Sequence, residues 1–140
     1  MSIEYYVSQD GFRIDTFPKG VLDIKTTADY FNRIKNDERI KQGAVEVVHF
    51  KHVTDFKISY KESEKITQIY QDPKNTRSID KTVFVCETDL AYGIGRMLQT
   101  FHDITNPNHE VIVVRSESEL INIEKSVEQN VQQDWAAPTC

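Results

Sequence analysis

Ser59 and Glu62 stand three residues apart where an extended stretch gives way to a helical pattern. That spacing reads as a capping box, in which a serine hydroxyl accepts an orphan helix amide and the glutamate answers the serine's own N–H. The same hydroxyl is a candidate phosphorylation site, because the helix dipole and the free amides favour a phosphate there. The histidines form no comparable unit. His49 and His52 are three apart on and just beyond a strand, which places them on opposite faces of an extended chain. His102 and His109 flank a loop and lack a cysteine or acidic partner at zinc spacing. Neither pair is expected to hold a metal, and no cofactor is implied. Tyr92-Gly93-Ile94-Gly95-Arg96 contains Gly-x-Gly, but a dinucleotide fingerprint needs glycine where Leu98 stands, and the pair falls within a helical stripe. Two glycines cost a helix about 1–2 kcal/mol together, which points to close packing onto a sheet or to room for a ligand. Arg77, Arg96 and Arg115 are isolated guanidiniums near turns or glycines. Arg96 is expected to pair with Asp89 or Glu87, with anion binding as the alternative. Cys86 lies inside an apolar run with no basic neighbour to lower its pKa, so it reads as a buried thiol.

The elements that must position these residues follow from the hydrophobic pattern. Ile3–Ser8 and Phe12–Phe17 flank Gln9-Asp10-Gly11, a hairpin signal. Pro18 and Gly20 interrupt the second run before Val21-Leu22. Thr26 is expected to open a first helix, with Asp29 as a capping-box variant and Tyr30, Phe31 and Ile34 on one face. Ala44–Phe50 reads as a strand. A second helix runs from about Ser59 to Gln71, where Asp72-Pro73 stops it. Lys81–Glu87 is a nearly continuous apolar strand, as burial on both faces inside a sheet requires. Thr88 or Asp89 caps a third helix, which carries Leu90, Ile94, Met97, Leu98, Phe101 and Ile104 on one stripe and ends at Asn106-Pro107-Asn108. Glu110–Arg115 is another strand. Ser116 and Glu119 form a capping box, and Leu120, Ile123, Val127 and Val131 continue as the last stripe. Helical crossovers make the later strands parallel, while the opening hairpin is antiparallel.

The 140 residues fit one domain over 1–132, followed by a mobile tail over 133–140. Hydrophobic residues at 39% suffice for a core without disulfides or metal. The net charge of −5 argues against non-specific binding to nucleic acid or to an anionic membrane. No run reads as a signal peptide or approaches the ~20 apolar residues of a membrane span. The two cysteines, Cys86 and Cys140, read as free thiols in a reducing cytosol.

Three passages resemble the SpoIIAA-like/STAS superfamily, in a poorly characterised bacterial branch. They are Val47-Val-His-Phe-Lys-His-Val-Thr-Asp-Phe56, a strand leading to a helix through a Val-Thr turn; Asp89-Leu-Ala-Tyr-Gly-Ile-Gly-Arg-Met-Leu-Gln-Thr-Phe101; and Glu110-Val-Ile-Val-Val-Arg-Ser-Glu-Ser-Glu-Leu120. The resemblance covers roughly residues 3 to 128. It implies an α/β fold with a mixed five-stranded sheet, an N-terminal hairpin and four helices. Anti-sigma-factor antagonists of this superfamily bind a kinase-like partner and are switched by a serine at the start of a helix, in the signature Asp-Ser-Ser/Thr-Gly. The nearest match here is Lys57-Ile58-Ser59-Tyr60, where only Ser59 agrees. Lipid-transfer relatives of the CRAL-TRIO type hold apolar ligands between helices and sheet, which implies Tyr92, Gly93, Gly95, Arg96, Met97 and Phe101 as candidate pocket residues.

The expectation is a non-catalytic cytoplasmic binding domain. Its partner is a protein of unknown identity, with Ser59 as the switch, and a homodimer is a further partner class. The alternative is a carrier or sensor of a small apolar or anionic ligand.

Overall fold

A computed structural model describes residues 3–71, 79–105 and 109–124, without the side chains of residues 67, 69–71, 101, 102, 104 and 105. Strands β1 (Glu4–Val7) and β2 (Arg13–Phe17) form the opening hairpin. Asp10 organises its turn by accepting from the Ser8 hydroxyl at 2.6 Å and from the Phe12 N–H at 3.0 Å. Gly11 takes a φ of +81° that a side chain would resist. With β4 (Val45–His49), β6 (Lys81–Val85) and β7 (Glu110–Val114) the hairpin builds a mixed five-stranded sheet in the order β1-β2-β4-β6-β7. Only β1 runs antiparallel to its neighbour. The helices are α1 (Ile24–Lys35), α2 (Tyr60–Gln71), α3 (Asp89–Thr105) and α4, described over 117–124.

From β2 onward each parallel strand is added on the same side of the last, so right-handed crossovers bring α1, α2 and α3 to one face. The larger core lies there, where Tyr30, Phe31 and Ile34 of α1, Ile66 of α2 and Ala91 and Leu98 of α3 pack on Ile14, Val48, Phe84 and Val111. α4 follows the last strand onto the opposite face, where Leu120 joins Val47, Val83, Val85 and Val114. β4 and β6 therefore bury both faces, as the continuous apolar run at Lys81 requires.

Two expectations need correction. Pro18 does not break the strand run. It is a buried corner after which Lys19–Asp23 forms β3, and β3 pairs in parallel with β5 (His52–Lys57). The stretch at Val53-Thr54 read as a turn is thus a strand. The β3–β5 ribbon continues the β2–β4 ladder past the corner, and its pairing slips by one residue between Gly20 and Val21. The second correction is the start of α1. Asp23 is its cap: Asp23 Oδ1 accepts from the Thr26 N–H at 2.8 Å, and Thr26 Oγ1 answers the Asp23 N–H at 3.4 Å. Thr26 is the third helical residue of that box rather than the opener. Asp72-Pro73, Arg77, Asn106-Pro107-Asn108, Val127, Val131, the tail and Cys140 lie outside the described residues.

Candidate functional site

Ser59 caps α2 reciprocally. The Glu62 N–H donates to Ser59 Oγ at 3.2 Å, and the Ser59 N–H donates to Glu62 Oε1 at 2.9 Å. The junction is exposed, and Tyr60 beside it leaves 64% of its surface in solvent. At the start of α3, Thr88 Oγ1 accepts from the Ala91 N–H at 3.1 Å, and Leu90 is 53% exposed. Leu90 and Ile94 border a shallow apolar crevice with Phe50, Val53 and Phe56.

The six residues implied as a ligand pocket do not converge on one cavity. Gly95 is buried against the sheet, where an added Cβ would stand 2.9 Å from Cys86 Sγ and 3.3 Å from Val113. Gly93 is exposed with nothing near that position. Arg96 is exposed and donates to Gln99 at 2.7 Å, so it does not take the expected Asp89 or Glu87. Arg115 bonds Asp89 instead, at 2.9 Å, with its guanidinium 4.6 Å from the Tyr92 ring centre. Met97 is half-buried, and the Phe101 side chain lies outside the description. Burial pushes the Cys86 thiol up to about 12, so it stays protonated and free.

The cavity that does exist lies elsewhere. It holds about 50 Å³ between the sheet and α1–α3, with Leu22 of β3 and Phe56 of β5 closing one end. Its wall includes Thr16, Tyr30 and Glu46, and these belong to a buried polar chain. Tyr30 Oη donates to Glu46 Oε2, so the Thr16 hydroxyl 2.8 Å away donates to Tyr30. Thr82 Oγ1 donates to Glu46 Oε1 at 2.9 Å and meets His109 Nε2 at 2.8 Å. Burial first, and then the Glu46 charge, raises the Tyr30 pKa well above its ordinary value. Burial lowers that of His109, with Glu46 opposing. None of Thr16, Tyr30, Glu46 and Thr82 stands out in the sequence.

On the α4 face, His49 bonds Asp15 at 3.0 Å and Glu117 at 3.2 Å. Arg13 holds Asp15 and also Glu124 of α4. His52 sits apart, exposed on β5, as the spacing of the two histidines requires.

Two solved structures are similar to the chain. An uncharacterised protein of the DUF3478 family from Shewanella loihica PV-4, with a SpoIIAA-like fold, superposes with a TM-score of 0.53 at 11% identity, over 86% of this chain and 90% of its own. The fold is SpoIIAA-like. The anti-sigma factor antagonist SpoIIAA in its unphosphorylated form gives a TM-score of 0.45 at 7% identity, over 89% of this chain and 98% of its own. No family model matches the sequence, and no curated protein does. Among the described residues of this SpoIIAA-like fold, no group of three or more His, Cys, Asp and Glu is placed to hold a metal ion. No described helix is long and apolar enough to cross a membrane.

Proposed function

We propose that the protein is a non-catalytic regulatory module of STAS type that works in the cytosol by binding another protein at the end of the molecule where α2 begins. The observation that carries this reading is the Ser59 junction: a hydroxyl at an exposed helix N-terminus, flanked by a largely exposed tyrosine, on a SpoIIAA-like fold. An exposed aromatic ring of this kind is the residue type enriched at interfaces. A phosphate on Ser59 Oγ would gain from the helix dipole and would set its charge against the Glu62 carboxylate that now bonds the Ser59 N–H. Phosphorylation would thus open the reciprocal half of the box and change the surface a partner meets. The buried thiol of Cys86, with its raised pKa, supports a role without nucleophilic chemistry.

Tagged protein incubated with lysate of its own host tests the reading. The wild type and Ser59→Ala are expected to retain a specific partner, while Ser59→Asp and Tyr60→Ala lose it. Equal recovery from all four proteins would overturn the assignment of the surface.

The apolar cavity supports a second reading, a carrier of a small apolar ligand. Its volume of about 50 Å³ is far below the ~150 Å³ that admits benzene. Loading would therefore require the β3–β5 ribbon to move. A co-purifying small molecule seen by native mass spectrometry would favour this carrier over the protein-binding module.

A further inference from the structure

His49 carries a carboxylate on each ring nitrogen. Nε2 lies 3.0 Å from Asp15 Oδ1 on β2, and Nδ1 lies 3.2 Å from Glu117 Oε1 at the first residue of α4. Ionised carboxylates only accept, so both bonds exist together only when both nitrogens carry hydrogen. The geometry is that of an imidazolium. A neutral ring would face one of the two carboxylates with a lone pair.

The surroundings of the ring are defined on each side. Phe17 of β2 stacks on it, with ring centres 4.6 Å apart and planes within 8°. β6 places the apolar Val85 beside it in the pairing register. Arg13 of β2 is the cation on this face. It bonds Asp15, which opposes the charge on His49, and it bonds Glu124, which holds the far end of the described part of α4. Between the two ends, Leu120 and Ile123 pack on Val47, Val83, Val85 and Val114.

We propose that His49 is a proton-operated latch that ties the start of α4 to β2 and β4 when the ring is charged and releases Glu117 when it is neutral. Asp15 is the nearer and less exposed acceptor, at 29% against 55% for Glu117, so the neutral ring keeps its single N–H there. The Asp15 bond is the largest influence on the ring and raises its pKa, burial opposes it, and the Glu117 charge adds to it. A pKa raised above the ordinary ~6.5 means that the latch is closed at and below that pH. It opens as the pH climbs through the higher folded value. Opening loosens the first turn of α4 over the valine strip of β4, β6 and β7.

Two measurements on the full chain test the latch: an NMR titration of the His49 ring, and hydrogen exchange of amides 120–124 corrected for intrinsic rates. Protection of these amides should fall about fivefold as pH rises through the His49 titration, the size of one partly screened charge-assisted hydrogen bond. Glu117→Gln should flatten that pH dependence and move the His49 titration back toward its ordinary value, and His49→Gln should flatten it as well. If His49→Gln fails to fold, the exposed Glu117→Gln change still decides the matter. The latch is wrong if protection of α4 ignores the His49 titration, or if Glu117→Gln leaves both readouts unchanged.

Discussion

Glu46 is fully buried, and hydroxyls from Tyr30 and Thr82 answer its two carboxylate oxygens. A buried carboxylate persists only with such partners, because desolvation costs it more than any neutral group. Tyr30→Phe removes one of these donors and strands the Thr16 hydroxyl. The expected loss is about 1–3 kcal/mol of unfolding free energy, and a urea melt matching wild type would contradict it. This chain of side chains was illegible in the sequence for a physical reason. The partners of Glu46 stand 16 and 36 residues away, and only the parallel pairing of β4 with β6 and the packing of α1 bring them together. The Ser59 cap was legible because both halves of it lie within four residues. Ser59→Ala should cost about 0.5–2 kcal/mol, and Ser59→Asp should melt close to wild type because aspartate also caps. Equal thermal stability of Ser59→Ala and wild type would remove the capping argument.

At the scale of elements, α3 carries its two glycines for different reasons. Gly95 lets the helix approach β6 and β7 until an added methyl would strike Cys86 and Val113, whereas Gly93 faces open space. Gly93→Ala should therefore stabilise the protein by about 0.5–1 kcal/mol through helix propensity. Gly95→Ala should destabilise it, because overpacking of about 1–3 kcal/mol outweighs the same propensity gain. Thermal melts of the pair check the claim, and it fails if the two shifts share a sign. The sequence announced a helix with two costly residues but could not say which one touched the sheet. It announced the main sheet through long apolar runs and through capped helices between them. It hid the β3–β5 ribbon, because Pro18 and Gly20 are ordinary strand breakers and β3 is short and partly exposed. That ribbon forms only because the β2–β4 ladder delivers its two strands side by side. The start of α1 was misread for a related reason: Thr26 is a good cap by type, and the competing Asp23 ends a strand that was not recognised.

For the whole molecule, the two faces of the sheet hold histidines that respond to pH in opposite directions. His49, on the α4 face, has a raised pKa, first because of its bond to Asp15. Its contribution to stability is complete below the unfolded value of ~6.5 and is lost as pH rises through the folded value. His109, in the larger core, has a pKa lowered by burial. Its contribution is complete above ~6.5 and is lost as pH falls toward the folded value. Taken together, these two groups put the stability maximum near the ordinary imidazole pKa, with an alkaline limb set by His49 and an acid limb set by His109. Melting temperatures measured from pH 5 to 8.5 should trace that maximum in the wild type. His49→Gln should erase the alkaline limb and leave the acid limb in place, because the two side chains occupy opposite faces of the sheet and share no partner in the hydrogen bonds described. An alkaline limb that survives in His49→Gln would assign that pH dependence to another group and break the link between the latch and global stability.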